Sequence, residues 1–279
     1  MRVFVTGATG YIGSPLVREL LGAGHTVVGL TRSEAGVAAL TAAGAEARFG
    51  ALDDFDGLHR AAADADGVIH LAFNADRDFS NFANALSTDL RAIETMGATL
   101  EGSGRPFVTT AHLNDQASQD AAIALAQRGV RTAIATLSPS VHGEGDRHGF
   151  VPRLITIART KGVSAYIGDG SNRWPAVYRL DAAHLYRLAL EAAPAGSRLD
   201  GVGDEGVPLR DIATVIGKRL NVPVVSITSD EASGHFGPLA TIVAFDHPRS
   251  SVRTQELLGW RPVGPGLIAD LEQGHYFDQ

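Results

Sequence analysis

A doubly wound α/β fold built on a parallel sheet is what this chain predicts, and three observations predict it. Apolar runs of strand length alternate with stretches of helix length through the first half. A glycine-rich turn, Thr6-Gly7-Ala8-Thr9-Gly10-Tyr11-Ile12-Gly13, follows the first apolar run directly. The 279 residues, 44% hydrophobic and 20% charged, suffice for one large domain or for one domain with an appendage.

Taken in order, Val3-Phe4-Val5 reads as the first strand, and Ser14 to Leu21, apolar at helical spacing, as the first helix. A second strand at Thr26–Leu30 comes at the spacing of a βαβ unit. An alanine-rich helix over about Glu34–Ala43 and a short strand at Ala45–Phe49 follow. Asp54 is placed to cap a helix over Gly57–Ala63, and Val68–Ala72 is the fourth strand. A long helix over about Phe79–Leu100 ends at Gly102-Ser103-Gly104. Then come a strand at Pro106–Thr110, a helix at Ala117–Gln127 and a strand at Thr132–Leu137. The second half is less regular. It shows a helix at Phe150–Lys161, a strand at Ser164–Ile167, a turn at Gly168-Asp169-Gly170, and helices at Asp181–Ala192 and at Pro208–Leu220 with proline in the first turn. Short pieces follow from Asn221. The chain contains no repeat or interdomain linker, so a single extended domain is expected, with residues 1–140 mainly nucleotide-binding and 141–279 mainly a substrate lobe.

The turn carries a chemical meaning. Gly7 permits a sharp exit from the strand, Gly10 has no side chain to hold a phosphate away, and Gly13 lets the helix lie close on the sheet. The free N–H groups at the helix start suit an anion. Strand, turn, helix and second strand together predict a Rossmann-type dinucleotide site.

Composition narrows the alternatives. A net charge of −7 argues against nucleic acid or an anionic membrane as the main partner. Without cysteine, neither disulfides nor thiolate metal sites can form. A strand beginning at residue 2, with no basic and apolar segment before it, and the lack of an 18-residue apolar run predict a cytoplasmic protein without a signal peptide or membrane span. His142, Glu144, Asp146 and His148 share one loop, but their spacing fits no metal pattern, so no metal site is expected.

The Gly-x-x-Gly-x-x-Gly spacing resembles the short-chain dehydrogenase/reductase superfamily, and the variant Thr-Gly-Ala-Thr-Gly-Tyr-Ile-Gly its extended branch, the NAD-dependent epimerase/dehydratase group. Leu137-Ser138-Pro139-Ser140-Val141-His142-Gly143 stands where that group has Arg-Pro-x-x-Val-Tyr-Gly, and the ending Leu257-Leu258-Gly259-Trp260-Arg261-Pro262 is similar too. The resemblance implies a cofactor-binding set of Gly7, Thr9, Gly10, Tyr11, Ile12, Gly13, Leu52 and Ala72. It also implies a substrate lobe to which Ser140, His142, Arg173 and Trp174 belong. Arg173 and an aromatic neighbour could hold an anionic or planar ligand, while Trp174 alternatively packs as core. The segment with Asp181 and His184 resembles the family's Val-Asp-Asp, whose acid more often bonds backbone than substrate.

The choice of nucleotide is read at the end of the second strand. An NAD site usually has an acid there, bonded to the ribose hydroxyls; this chain has Thr31, then Arg32 and Ser33. Losing the carboxylate removes repulsion toward a 2′-phosphate, and Arg32 and Ser33 add a charged fork and a hydroxyl, so NADP (NADPH) is the expected cofactor. A solvated surface role for Arg32 is the alternative. Where the family has an aspartate near the adenine amine, this chain has Ala51, with Asp53 two residues on.

The family's reaction centre combines a Ser/Thr after the fifth strand with Tyr-x-x-x-Lys on the next helix. The lysine lowers the pKa of a phenol that otherwise titrates near 10. Here the segment runs Thr110-Ala111-His112-Leu113-Asn114-Asp115-Gln116-Ala117-Ser118-Gln119, with Asp115 at the tyrosine position, Gln119 at the lysine position and a shorter loop before the helix. Three readings stay open. His112 is the acid/base, oriented by Asp115; or Thr110 or a water gives the proton while hydride delivery and positioning do the rest; or the site is not redox-active. His112, Asp115 and Thr110 are therefore the candidate catalytic residues. The expected function is an NADP-dependent oxidoreductase of the epimerase/dehydratase type acting on a small-molecule carbonyl or related substrate. A non-redox isomerase or cyclase and a non-catalytic NADP-binding sensor are the alternatives. Homodimerisation is left open by the sequence.

Overall fold

The computed structural model describes residues 1–74, 80–112 and 115–277. Phe79, the expected start of the long helix, and Leu113 and Asn114 of the segment before the next helix lie outside the described residues.

Along the chain, β1 (Arg2–Thr6), α1 (Gly13–Gly22), β2 (Thr26–Thr31), α2 (Glu34–Ala42), β3 (Glu46–Phe49), α3 (Phe55–Ala63) and β4 (Gly67–His70) set up the alternation. It continues through α4 (Phe82–Leu100), β5 (Pro106–Thr110), α5 (Gln116–Gln127) and β6 (Arg131–Leu137). Next come β7 (Ser140–His142), α6 (Phe150–Lys161), β8 (Ser164–Ile167), β9 (Arg173–Tyr178), α7 (Arg179–Ala192), β10 (Ser197–Gly201), β11 (Asp204–Pro208), α8 (Leu209–Leu220) and β12 (Val224–Ile227). The helices α9 (Ser229–Phe236), α10 (Ala240–Val243), α11 (Val252–Leu258) and α12 (Leu267–Gln273) follow.

Several starts and stops have local causes. Asp54 caps α3 by accepting from the Gly57 amide at 2.9 Å, as its position in the sequence predicts. Ser33 caps α2 in the same way. The fourth strand stops at His70, two residues earlier than expected, because the Leu71 and Ala72 amides turn to the Thr6 hydroxyl. Pro208 lies just outside α8, as its N-cap, and not within the first turn. Asn221 ends that helix in the left-handed conformation, φ 53°.

Contacts divide the chain into two compact units, one of Met1–Thr136, Ala182–Gly201 and Val252–Trp260, the other of Leu137–Asp181, Val202–Ser251 and Arg261–Gln279. The first holds a seven-stranded sheet in the order β10-β6-β5-β4-β1-β2-β3, in which β1 to β6 pair parallel with one another. Val3, Phe4 and Val5 are wholly buried, as strands covered on both faces must be. The strand order reverses between β1 and β4, whose ends meet at Thr6 opposite His70. That reversal opens a crevice at the carboxyl ends of the strands.

The second unit contains the small sheets β11-β9-β7 and β12-β8. Its core gathers Phe150, Leu154, Leu209, Ile212, Leu267 and Leu271. Among the described residues no helix is long and apolar enough to cross a membrane.

Candidate active site

The glycine turn sits at the mouth of the crevice. Gly7 has φ +68°, and a Cβ there would come within 2.9 Å of the Ala72 amide nitrogen. At Gly13 a Cβ would lie 2.0 Å from the Gly7 carbonyl oxygen, so this glycine is what allows α1 to begin beneath the turn. At Gly10 the same atom would meet only the Gly7 carbonyl oxygen, at 3.1 Å, and otherwise open space. Thr9 and Gly10 are exposed, Tyr11 and Ile12 half-buried, and Ile12 leaves the start of α1 without a side-chain cap. Uncapped amides under an open glycine face are what a pyrophosphate needs.

Beyond the turn, a cavity of about 300 Å³ is lined by Arg32, Asp53, Phe73, Asn74 and the α4 residues Asn81, Asn84 and Thr88. Arg32 is exposed and forms no ion pair with any described residue. Ser33 spends its hydroxyl oxygen as the α2 cap, which leaves the O–H proton to give. Leu52 is core, packed with Leu30 and Leu58, so its side chain does not line a ligand site. Ala72 lies partly buried against the same core, its amide held by Thr6. These residues fit a dinucleotide.

The candidate catalytic residues belong to one buried polar network centred on an acid that the sequence did not single out. Asp89, in the buried stripe of α4 with Ala85, Ala92, Ile93 and Met96, is fully buried. Its Oδ1 faces His70 Nε2 at 3.1 Å and its Oδ2 accepts from the Ser118 hydroxyl at 2.9 Å. His70 Nδ1 lies 2.6 Å from the Thr6 hydroxyl, which already accepts from Leu71 and Ala72. The Thr6 proton therefore goes to Nδ1, and His70 donates to Asp89 through Nε2–H. Burial works to raise the Asp89 carboxyl, but the His70 bond, the His70 and His112 rings and the Ser118 hydroxyl outweigh it and hold the group below the usual carboxylate range.

The imidazole of His112 stacks on Phe73, ring centres 4.0 Å apart, with Nε2 3.9 Å from Asp89 Oδ1. Burial pushes its pKa down to about 4 despite the Asp89 charge. The ring is therefore neutral near pH 7, not poised at neutrality. Asp115 does not orient this ring, contrary to expectation: its Oδ2 accepts from the His112 backbone amide at 3.4 Å, and the carboxylate beside the imidazole is Asp89. Asp115 is buried at the start of α5, and burial, with the Asp89 charge added, raises its carboxyl above the ordinary range. Thr110, at the end of β5, donates to the His70 carbonyl at 3.1 Å and lies 2.7 Å from the Tyr186 hydroxyl. Since the threonine proton is so engaged, Tyr186 donates to it. Burial pushes that phenol far above its ordinary range, so it stays protonated and structural.

Comparison with known proteins places the chain. The sequence model of the NAD dependent epimerase/dehydratase family matches residues 3–96. An uncharacterized protein of Schizosaccharomyces pombe is 47% identical over 298 residues, covering 99% of this chain and 100% of that protein. The chain belongs to the NAD-dependent epimerase/dehydratase family. A 2-alkyl-3-oxoalkanoate reductase of Stenotrophomonas maltophilia is similar at 26% identity, covering 81% of this chain and 77% of that enzyme. Among solved structures, a dTDP-glucose 4,6-dehydratase of Streptomyces venezuelae, with NAD bound, shares the fold at a TM-score of 0.76 and 18% identity, covering 100% of this chain and 97% of that one. This member of the NAD-dependent epimerase/dehydratase family thus has an NAD(P)-binding oxidoreductase scaffold and reductase-named distant relatives. The alignment with the yeast protein runs over 298 positions although this chain has 279 residues, so that relative carries residues absent here.

In the second unit of this epimerase/dehydratase scaffold, the expected substrate residues are differently employed. Arg173, on β9, spans Asp246 with both Nε and Nη2, at 3.0 and 2.8 Å, so its charge is paired within the unit. Trp174 is buried core, stacked on Phe150 at 3.6 Å between ring centres, and does not offer a face to a ligand. His142 is buried with Nδ1 2.9 Å from Asp270 Oδ2, and Ser140 is buried beside it on β7. Asp181 accepts from the Val263 and Gly264 amides, a backbone-holding role that the family likeness favours. Among the described residues no group of three or more His, Asp or Glu is placed to hold a metal ion. The residues that sequence reasoning missed, Asp89 and His70, had one visible signal: a charged or titratable residue in the apolar register of a helix or strand.

Proposed function

We propose that this protein is an NADPH-dependent reductase of a small-molecule carbonyl, with the proton given by Asp115 in place of the family's tyrosine. The observation that carries the reading is the open face over Gly10, with no side-chain cap at the start of α1, together with the exposed Arg32 and the cavity it lines. The reductase-named relative supports the reaction class.

In this reading the α1 amides hold the pyrophosphate, and Arg32 with the Ser33 O–H holds a 2′-phosphate. Bound NADPH supplies the hydride that reduces the carbonyl carbon. Asp115, whose carboxyl burial and the nearby Asp89 charge raise above the ordinary range, is the acid that gives a proton to the carbonyl oxygen. The carboxylate left behind regains a proton from solvent. Neutral His112, with Thr110 beside the strand end, shapes the polar wall of the site.

The test is loss of NADPH absorbance against a panel of small aldehydes, ketones and oxo acids, run beside nucleotide titrations. Turnover with NADPH, abolished or nearly so by Asp115→Asn with nucleotide affinity kept, is expected. Nucleotide binding without oxidation by any carbonyl would refute the reductase reading. Conversion of a substrate without NADPH consumption would favour an isomerase instead.

A further inference from the structure

We infer that Thr6 and His70 are the positioning pair of the nucleotide site: the Thr6 hydroxyl, aimed by the His70 imidazole, fixes the peptide on which the glycine turn rests. The inference rests on the placement of the pyrophosphate over that turn in the reading above, and names the side chains that keep the turn in shape.

The turn leans on a neighbour. A Cβ on Gly7 would lie 2.9 Å from the Ala72 nitrogen and 3.0 Å from the Leu71 carbonyl carbon, so the turn lies directly against the Leu71–Ala72 peptide. That peptide stands beyond the end of β4, and the Thr6 hydroxyl accepts from the Leu71 and Ala72 amides, each at 3.2 Å. The Leu71 amide also reaches the Thr6 carbonyl, at 3.3 Å, whereas the Ala72 amide is held by the hydroxyl. The floor beneath the turn is therefore set by where one hydroxyl oxygen sits.

A threonine hydroxyl has two lone pairs and one proton. The two amides take the lone pairs, so the proton goes to His70 Nδ1, 2.6 Å away. With Nδ1 accepting, the ring carries its hydrogen on Nε2 and gives it to Asp89 Oδ1 at 3.1 Å. Asp89 Oδ2 accepts in turn from the Ser118 hydroxyl on α5, at 2.9 Å. The line thus has one arrangement, and it ties the nucleotide turn, by way of β4 and α4, to the helix that follows the candidate catalytic segment.

Packing alone does not call for this chemistry. Thr6 and His70 face each other in the register of β1 and β4, where the nearby Val3, Val5, Val68 and Ile69 are apolar core. Two apolar residues would fill that space without burying a hydroxyl and an imidazole. Thr6, His70, Asp89 and Ser118 are all buried, and the cost of burying them is offset while every partner is in place.

The experiment is Thr6→Val in the full chain, which keeps the branched shape and removes the hydroxyl. NADPH and NADH are titrated at a temperature at which ligand-free melting shows each variant folded. Both cofactors carry the pyrophosphate, so both should weaken by the same factor, about tenfold, the scale of a hydrogen bond lost with its partner left unpaired. Thr6→Ser, which restores the hydroxyl, should recover most of that loss. Unchanged affinities in Thr6→Val would overturn the inference, since a merely structural residue lowers the melting temperature and leaves the folded site intact. A loss for NADPH alone, or a Thr6→Ser protein as weak as Thr6→Val, would overturn it too. Imidazole ¹⁵N spectra of the wild-type protein supply a readout independent of how the variants fold. The His70 ring should carry its proton on Nε2, with Nδ1 bare and accepting; a proton on Nδ1 would overturn the inference. No arm needs turnover, so a protein that meets these expectations yet reduces no carbonyl sinks the reductase reading alone.

Discussion

Adding one methyl group at two glycines of the same turn should separate folding from cofactor binding. In Gly13→Ala, the new Cβ would lie 2.0 Å from the Gly7 carbonyl oxygen, 2.8 Å from its carbon and 2.9 Å from the Ala8 Cα. All three are backbone atoms that cannot swing aside, so α1 must back away from the end of β1. Overpacking of this kind costs about 1–3 kcal/mol. For a chain of this size each kcal/mol lowers the melting temperature by about 2–4 °C, so the midpoint should fall by roughly 3–10 °C. Gly10→Ala meets one atom, at 3.1 Å, on a face otherwise open. Its melting temperature in the absence of nucleotide should stay within about 2 °C of the parent, as for substitutions that create no clash. Its nucleotide affinity should nevertheless fall about tenfold or more, since a conflict of 1.4 kcal/mol against the pyrophosphate is already a factor of ten. The assay is calorimetric or fluorescence melting of both variants without ligand, then NADPH titration. A Gly10→Ala protein that melts normally and binds NADPH at parental affinity would refute the placement of the pyrophosphate over Gly10. A Gly13→Ala protein as stable as the parent would refute the account of how α1 packs.

Three more outcomes can be measured. Arg32→Ala should weaken NADPH by about 1.5–3 kcal/mol, the scale of a hydrogen bond to a charged group, and leave NADH nearly unchanged; equal losses for both would refute the 2′-phosphate role. The His112 ring should titrate with a midpoint near 4 by NMR. Because its folded pKa lies below the unfolded value of about 6.5, its contribution to stability is present above that pH and is lost as pH falls toward 4. His112→Gln should remove that part of the acid sensitivity, and a wild-type midpoint at or above 6.5 would refute the buried, neutral assignment. Trp174→Ala should destabilise by about 3–5 kcal/mol as a core truncation, while Trp174→Phe, which keeps a ring against Phe150, should cost far less. A selective effect of Trp174→Phe on substrate KM would return this residue to a ligand site.

Much of the first unit was legible because its signals are local. A glycine at each of three positions, an aspartate three residues before Gly57, and strands of Val, Ile and Phe each act within a few residues of themselves. The second unit's β7, β9, β11 and β12, and β10 of the first, were not read as strands. They are three to six residues long, and β8 finds its partner β12 some sixty residues away, which no local pattern encodes. The candidate trio of His112, Asp115 and Thr110 lies close together from the end of β5 onward, but the state of each was illegible in the sequence. Whether an imidazole beside an aspartate titrates up or down depends on burial by Phe73 and on which carboxylate faces it, and both come from elsewhere in the chain. Arg173 shows the same limit: its partner Asp246 stands 73 residues on.

The first unit's discontinuity bears on how the protein is made. A ribosome delivers β6 at Arg131–Leu137, yet β10, the strand that covers its outer edge, is not translated until Ser197–Gly201. Between those moments the nascent sheet presents a bare row of amides and carbonyls, the template for pairing with a stranger. Thr110 waits equally long for Tyr186, whose hydroxyl holds it from α7. A polypeptide cut at residue 140 would carry the whole glycine turn and every candidate catalytic residue, yet should be recovered as aggregate. Emergence of α7 and β10 is the step at which vectorial synthesis first yields a sheet that can be left alone in a crowded cell.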